Sequence, residues 1–344
     1  MSFIRSAASY IVIEDGSESS LATVDATVQK RRVQPGLNRS IQEIGRTVAS
    51  RNNADPIGDN PVADKHIVEQ LIEERATTLI KRPLWPLYRS VLFPILRHRQ
   101  AIKMADRIAD MGGMDALNQV SGELALATKV TGIENIPKSG RVLIASTHPT
   151  GIADGIAMFD ALKEHRPDLT FFANRDAIRV VPRFEELMIP VEWNMEKRTR
   201  ERSRETLRGA RNAFSSERCV VLFPSGRLAY MDDDKVLIEQ EWMNSIAIFA
   251  KKYDCAVVPT NILSRNSWVY YWFRNLSQEL RDITLFRELL NKRGKQFDIA
   301  FGPMIQPDDL QGDPTEVTNE LRRHALEDVR TGKAWSPVEE AAGQ

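Results

Sequence analysis

The sequence predicts an α/β fold in which a mixed, largely buried sheet is flanked by helices and preceded by a helical segment. From about residue 128, short apolar runs alternate with longer stretches of helical spacing. The runs are continuously apolar rather than alternating, which is typical of strands covered on both faces. Pro- or Gly-containing loops follow several runs, and such alternation is typical of an α/β domain.

The order of elements follows from these periods. The predicted strands are Lys129–Ile133, Val142–Ser146, Leu169–Ala173, Met188–Val191, Cys219–Phe223, Ala256–Leu263 and Phe297–Phe301. The predicted helices between and after them are Asp154–Glu164, Ser203–Phe214, Glu239–Lys251, Leu276–Leu290 and Glu316–Val329. An earlier helix is predicted to begin at the N-cap Asp64.

Composition divides the chain into four parts. Residues 1–62 are rich in Ser, Asn, Asp and Gly, which predicts a largely disordered N-terminal segment. Residues 63–125 are predicted to be a helical segment that associates with a membrane, and residues 126–331 the α/β domain. Residues 332–344 lack periodicity and are predicted to be a flexible tail.

The stretch from Lys81 to Arg99 is apolar and aromatic, with basic residues at both ends. It is too short and too interrupted by proline to span a bilayer, but Trp and Tyr favour the headgroup level and Arg and Lys reach lipid phosphates. The alternative is a helical hairpin that covers the core with a basic rim. Because no other stretch is long enough to span, we expect any membrane contact to be peripheral.

Charge and cysteine content exclude several classes of protein. The 47 basic and 47 acidic residues give a net charge of +0, which disfavours a nucleic-acid binder. Cys219 and Cys255 adjoin apolar runs, as core residues of a reducing compartment do. The N-terminus has no signal-peptide pattern, so we expect a cytoplasmic protein, peripheral on the inner face of the membrane. The five histidines show no metal-ligand spacing, and no metal is expected.

A histidine and an aspartate follow the strand Val142–Ser146. His148 precedes Pro149, which biases it away from helical geometry, and Gly151 permits a tight turn before Asp154. Across such a turn the carboxylate can accept the Nδ1 hydrogen of His148 and leave Nε2 to take a proton, as a general base does. The alternative is that Asp154 caps a helix and His148 is a surface loop residue.

A second loop follows the strand that begins at Cys219, and it reads Phe223-Pro224-Ser225-Gly226-Arg227. Its arginine suits a phosphate, with backbone N–H groups near Gly226 as further donors. A solvated arginine at a simple turn is the alternative. The basic run from Lys197 to Arg211 likewise suits either an anionic ligand or a solvated helix face.

Together these elements resemble the glycerolipid acyltransferase superfamily, the family of 1-acylglycerol-3-phosphate acyltransferases, over roughly residues 125–330. His148 and Asp154 match its catalytic block, and Ala173-Asn174-Arg175 through Ile189-Pro190-Val191 its second. Phe223–Arg227 resembles the third block and Val258-Pro259 the fourth.

The sequence departs from the common pattern of that family in two places. Five residues rather than four separate His148 from Asp154, and Ser225 replaces the glutamate of Phe-Pro-Glu-Gly-Thr-Arg, with Arg227 one place early. Both changes resemble the hemolysin-like branch, which is associated with lysophospholipid or lyso-ornithine-lipid acylation. The missing glutamate puts the usual binding of glycerol phosphate in doubt.

The resemblance implies transfer of a fatty acyl group from acyl-CoA or acyl carrier protein to a hydroxyl of a lysolipid, without a cofactor. His148 is then the base and Asp154 its orienting partner, with Gly151 and Gly226 as oxyanion candidates. The implied substrate-binding residues are Asn174, Arg175, Phe223, Pro224, Ser225, Gly226 and Arg227. Two alternatives stay open: an acyl hydrolase with the same pair, and a non-catalytic membrane-associated lipid-binding protein.

Overall fold

The computed structural model describes residues 65–192 and 197–336. The segment predicted to be disordered, residues 1–62, lies outside the described residues, and so do the predicted N-cap Asp64 and residues 337–344 of the predicted tail. The first helix is instead capped by His66, whose ring Nδ1 accepts the N–H of Val68 at 3.1 Å. Trp335, which lies inside the predicted tail, donates its indole N–H to the carbonyl of Asp309 at 3.2 Å.

A seven-stranded mixed sheet forms the centre of the α/β domain, and the predicted fold class is confirmed. Its strands are β1 (Ala127–Thr131), β2 (Val142–Ser146), β3 (Leu169–Asn174), β4 (Met188–Val191), β5 (Cys219–Leu222), β8 (Ala256–Leu263) and β9 (Gln296–Phe301). Each overlaps a predicted strand. Two short strands that were not predicted, β6 (Tyr230–Met231) and β7 (Leu237–Ile238), form a separate antiparallel pair.

The strand order is β1-β9-β8-β2-β5-β3-β4. Strands β8, β2, β5, β3 and β4 are mutually parallel, β9 is antiparallel to β8, and β1 is parallel to β9. The carboxyl ends of five strands therefore meet at one edge of the sheet, where ligand sites form in open α/β folds.

Twelve α-helices are found in the described residues. They are α1 (Ile67–Arg75), α2 (Trp85–Ile95), α3 (His98–Ile108), α4 (Gly113–Leu124), α5 (Ile152–Leu162), α6 (Asp176–Val180), α7 (Arg200–Ser215), α8 (Ser245–Lys252), α9 (Trp268–Leu276), α10 (Gln278–Asp282), α11 (Leu285–Leu290) and α12 (Pro314–Glu327). Within residues 65–192 and 197–336, none combines the length and hydropathy that crossing a bilayer requires.

The continuous apolar runs are explained by burial on both faces of the sheet. In β2, Val142 and Ile144 pack into a cluster with α4 and α5, whereas Leu143 and Ala145 pack into a second cluster with α7, α8 and α12. Cys219 and Cys255 are buried, as predicted, and burial raises the pKa of each thiol to about 12. Both cysteines are therefore protonated core residues near neutral pH.

Helices α1 to α3 pack against α10 and α11 through a third cluster, which includes Ile72, Leu96 and Ile283. Helix α2 contributes partly buried residues such as Trp85 and Phe93 to it. Its outer side instead exposes a row of large apolar side chains, Leu84, Leu87, Tyr88, Val91 and Ile95. The covering hairpin and the exposed apolar surface, stated as alternatives from the sequence, therefore occur in the same segment.

Two predicted helices are wrong in their bounds. The helix predicted over Leu276–Leu290 is broken at extended Ser277 and again before α11, and α9 precedes it. The helix predicted to begin at Glu239 begins at Ser245, because the Glu239 carboxylate is buried and accepts hydrogen bonds from the loop after β2.

Candidate active site

The loop that joins β2 to α5 lies at the shared carboxyl edge of the parallel strands. Thr147, its first residue, is tied to the neighbouring strand β8: its N–H donates to the carbonyl of Thr260, and its hydroxyl accepts the N–H of Ile262. The loop is therefore held rigidly where the chain leaves the sheet.

Asp154 and His148 meet across this loop. The Nδ1 atom of His148 lies 3.0 Å from Oδ2 of Asp154, although the ring N–H direction is not aligned with that oxygen. The Asp154 carboxylate is fully buried in the first turn of α5, where it accepts the N–H groups of Thr150 and Gly151 at 2.7 and 2.9 Å and the Thr150 hydroxyl. Asp154 therefore caps the helix and contacts the imidazole at the same time.

Gly151 is required by this turn. Its φ is +97°, and a Cβ at this position would lie 2.9 Å from a methyl carbon of Leu228. The positive φ strains any residue that carries a Cβ, and the Leu228 side chain would also have to move to admit one.

The His148 ring is fixed from its face as well. It stacks on Phe223, with ring centroids 4.3 Å apart and an interplanar angle of 24°. The side chain is 17% exposed, and Nε2 has no protein partner among the described residues. Phe223, predicted from the sequence to bind substrate, thus holds the imidazole in place.

Glu239 is a buried carboxylate beneath this loop that sequence reasoning missed. It accepts the backbone N–H of His148 at 3.2 and 3.3 Å and the indole N–H of Trp242 at 3.2 Å. Burial raises the pKa of Glu239, and the hydrogen bonds from His148 and Trp242 act in the opposite direction. No local pattern indicates this role, since the residue lies 91 positions from its partner.

The turn after β5 lies beside the His148 loop. Gly226, at φ +58°, donates its N–H to the carbonyl of Phe223 at 3.0 Å, and the Ser225 hydroxyl donates to the carbonyl of Arg227 at 2.9 Å. Ser225 is buried and Arg227 is exposed, so the arginine projects from the same edge of the sheet. The carbonyl of Pro224 accepts the N–H of Met243.

The N–H groups of the two oxyanion candidates named from the sequence have partners within the protein, and their role as oxyanion donors stays a prediction. The N–H of Gly151 donates to the carboxylate of Asp154, and the N–H of Gly226 donates to the carbonyl of Phe223. In this conformation both donors already serve the turns that contain them.

Asn174 and Arg175 follow β3 at the same edge but have partners within the protein. The Asn174 side-chain oxygen accepts the N–H of Asp176 at 2.9 Å, and Arg175 pairs with Glu205 on α7 at 2.6 Å. The structure gives Arg175 a role in joining β3 to α7, while its predicted contact with substrate stays a prediction. Further along α7, four arginines are exposed: Arg200, Arg204, Arg208 and Arg211.

A buried polar chain supports the loop from the other side. Lys292 donates to the side-chain oxygen of Asn266 at 2.7 Å, and the Asn266 amide donates to the carbonyl of Thr150 at 3.3 Å. Burial lowers the pKa of Lys292, whereas the negative charges of Glu288 and Asp154 favour its cation. No local pattern indicates these hydrogen bonds, because Lys292, Asn266 and Thr150 become neighbours only in the folded protein.

Two surface depressions lie away from the loop. One is lined by Ala247, Lys251 and Pro314, and the other by Arg141, Asp254 and Met304 at the amino ends of β2 and β8. Neither is lined by His148 or Asp154.

Comparison with known proteins agrees with the resemblance seen in the sequence. The profile of the family described as Acyltransferase matches residues 127–263. A Lyso-glycine lipid O-acyltransferase of Bacteroides thetaiotaomicron is 26% identical over 57% of this chain and 72% of that protein. A protein of the same description from Phocaeicola vulgatus is 25% identical over 56% of this chain and 69% of its own length.

A solved structure shows a weaker likeness. The crystal structure of the 1-acyl-sn-glycerophosphate acyltransferase PlsC from Thermotoga maritima is 14% identical, with a TM-score of 0.40 over 78% of this chain and 97% of that one.

The segment matched by the family profile contains His148, Asp154 and the turn from Phe223 to Arg227. The resemblance is therefore confirmed for the part of the chain that holds the candidate site.

Proposed function

We propose that this chain transfers a fatty acyl group from acyl-CoA or acyl carrier protein to a hydroxyl of a lysolipid acceptor, which the match of residues 127–263 to the Acyltransferase family and the two lipid O-acyltransferase relatives support. The chain is an acyltransferase by its domain, and the donor and the acceptor are the proposal. The observation that carries it is the contact of His148 with buried Asp154 at the carboxyl edge of the sheet.

In the proposed reaction, Nε2 of His148 takes the proton of the acceptor hydroxyl as its oxygen attacks the thioester carbonyl carbon. The tetrahedral intermediate collapses by breaking the carbon–sulfur bond, and the imidazolium returns the proton to the departing thiolate. General-base catalysis of this kind contributes on the order of 10²–10⁴-fold. No covalent acyl-enzyme is required.

Asp154 acts through the imidazole. Its carboxylate is held by three hydrogen bonds from Thr150 and Gly151, so its position is set before substrate binds. A buried negative charge beside Nδ1 favours the tautomer that leaves Nε2 unprotonated, and it stabilises the imidazolium formed during attack. Phe223 restricts the ring from its face, and exposed Arg227 is proposed to bind an anionic head group of the acceptor.

The names of the two relatives support a lysolipid acceptor and suggest that a lyso-glycine lipid be tested first. The exposed apolar row on α2, with Arg89 and the basic ends of its segment, supports a peripheral position on the inner face of a membrane.

Lipid mass spectrometry tests the proposal. The full-length chain is incubated with acyl-CoA or acyl carrier protein and a panel of lysolipids that includes a lyso-glycine lipid. We expect an acylated product from wild type, and a loss of about 10²–10⁴-fold for His148→Ala and for Asp154→Asn. His165→Gln is the matched control, because His165 lies beyond the far end of α5 and bonds the carbonyl of Ile136.

Three results would contradict the proposal. If His148→Ala formed as much product as wild type, His148 would not be the base of the reaction. Free fatty acid in place of acylated lipid would favour the hydrolase. Lipid binding without any acyl transfer by wild type would favour the non-catalytic lipid-binding protein.

A further inference from the structure

Helix α9 carries a second exposed apolar surface, apart from the one on α2. Trp268, Trp272 and Leu276 recur every fourth residue, so they share one side of the helix, here named the outer face of α9. These side chains are 73%, 50% and 57% exposed. The opposite side is buried by Val269, Tyr270 and Phe273.

The exposure of this face indicates that it binds another molecule. Single apolar residues are ordinary on a protein surface, but adjacent large ones mark interaction sites. The two indole rings of the face neighbour each other, with centroids 6.3 Å apart. Covering a tryptophan removes a large apolar area from water, and each Å² removed stabilises the complex by roughly 25 cal/mol.

Charge around the face favours an anionic occupant. The stretch from Leu263 to Gln278 contains no Asp or Glu, and it contains Arg265 and Arg274. Arg265 is exposed, and the Arg274 guanidinium lies 4.2 Å from the Tyr230 ring centroid. Tryptophan beside arginine, without acidic residues, is the composition that binds the headgroup layer of an anionic bilayer.

The face also lies next to the candidate site. Asn266, two residues before α9, donates its side-chain amide to the carbonyl of Thr150 in the His148 loop at 3.3 Å, and its backbone N–H donates to the Tyr271 hydroxyl at 3.1 Å. Ile152, the first residue of α5, is also exposed. The chain that leads into α9 therefore contacts the His148 loop two residues before exposed Ile152.

The other end of α9 is joined to the segment that bears α2. The carboxylate of Glu279 accepts the N–H groups of Thr78 and Leu79 at 2.7 and 2.9 Å. Lys81 begins the basic and aromatic stretch two residues later, and its helix α2 has the second exposed apolar row. The segment that follows α9 is thus hydrogen-bonded to the segment that precedes α2.

We propose that the outer face of α9 inserts into the headgroup layer of an anionic lipid bilayer and holds the His148 loop at the surface from which the acceptor enters. The proposal rests on the proposed function for the nature of the acceptor. The insertion itself is measurable without any acyl transfer.

The test uses full-length protein and vesicles of phosphatidylcholine with a minority of phosphatidylglycerol. In Trp268→Ser/Trp272→Ser we expect vesicle binding to weaken about tenfold or more. We also expect dibrominated phosphatidylcholine to quench tryptophan emission in wild type, and this quenched emission should be absent from the serine variant. Trp268→Phe/Trp272→Phe should retain most of the binding, and Met304→Ser, an exposed apolar residue near the amino ends of β2 and β8, should retain all of it.

Activity separates this proposal from the proposed function. The serine variant should lose transfer to lysolipid embedded in vesicles by a similar factor, and keep transfer to a short-chain lysolipid that is monomeric in solution within about twofold. If wild type acylates neither acceptor, the proposed function fails, while quenching still reports on the face.

Three results would overturn the insertion of α9. The first is equal vesicle binding by wild type and the serine variant. The second is tryptophan emission that brominated lipid does not quench in vesicle-bound wild type. The third is shielding of these tryptophans from acrylamide in lipid-free protein, since another segment or a second copy would then cover the face.

Discussion

At the scale of single residues, Asp154 performs two tasks that the sequence presented as alternatives. Its carboxylate accepts two N–H groups and a hydroxyl from the preceding turn, as a helix-capping residue does, and Oδ2 also lies 3.0 Å from His148. The N-terminal turn of α5 favours its negative charge. A cap of this kind makes the carboxylate rigid, and rigidity is what an orienting group needs.

Asn266 provides a residue-scale prediction, because it connects Lys292 to the carbonyl of Thr150 without contacting His148 in the structure. In Asn266→Ala we expect kcat to fall by about tenfold with little change in KM, since the loop loses alignment rather than substrate binding. Steady-state kinetics over a range of acceptor concentrations separate the change in kcat from that in KM.

The matched control is Asn275→Ala, an exposed asparagine on α9. Asn266→Asp keeps the acceptor for Lys292 and loses the amide donor, so its kcat should lie between that of the alanine variant and that of wild type. If Asn266→Ala had the kinetics and the thermal stability of wild type, the hydrogen bonds from Lys292 through Asn266 to Thr150 would only fill the core.

At the scale of elements, the strands were predicted better than the helices. Each strand of the main sheet is a continuous apolar run, and burial on both faces leaves that pattern in the sequence itself. The helix predicted over Leu276–Leu290 was wrong: extended Ser277 interrupts it, and Glu279 just after the break accepts N–H groups from Thr78 and Leu79, about 200 positions away. Local periodicity contains no information about such a contact.

The same distinction holds for the candidate site. His148 and Asp154 are only six positions apart, so the turn residues between them showed that the two side chains could meet, and the resemblance to a known family favoured that prediction over the alternative. Glu239, Asn266 and Lys292 come from three distant segments, and only the folded sheet edge brings them to that loop. The oxyanion role of Gly151 and Gly226 stays a prediction, and the structure adds that both N–H groups make hydrogen bonds within their own turns.

Glu74 provides an element-scale prediction, since it joins α1 to α6 through Arg179 and also pairs with Lys197. The hydrogen bond from Arg179 is the largest influence, and the pKa of Glu74 is lowered to about 2. A lowered carboxyl pKa stabilises the fold above the ordinary value near 4.5, and this stabilisation is lost as pH falls towards 2.

Glu74→Gln should therefore lower the free energy of unfolding at neutral pH by about 1 kcal/mol or less, because the group is partly exposed. Urea unfolding between neutral pH and about pH 3 measures the difference, which should shrink on the acidic side of the ordinary carboxyl pKa. Glu164→Gln, at an exposed glutamate after α5, is the control. A difference that stays constant with pH would contradict the assignment to the ion pairs.

At the scale of the whole molecule, helices α1 to α3 pack directly against helices of the α/β domain. Ile72 from α1, Leu96 after α2 and Ala101 from α3 share a buried cluster with Ile283, which joins α10 to α11. Residues 66–336 of the described chain thus belong to one compact unit. Movement of α2 at a membrane would therefore be transmitted directly to α10 and α11.

Ile283 tests this coupling, since its side chain is buried where the two groups of helices meet. Ile283→Ala should lower the free energy of unfolding by about 2–5 kcal/mol through the cavity it leaves. Circular dichroism and the fluorescence of Trp242, measured with the other five tryptophans replaced by phenylalanine, should still report one shared transition. Val236→Ala, at an exposed position, should change stability by no more than about 0.5 kcal/mol. Separate transitions for helix content and Trp242 would instead mean that α1 to α3 unfold independently, and that membrane contact by α2 is not coupled to the candidate site.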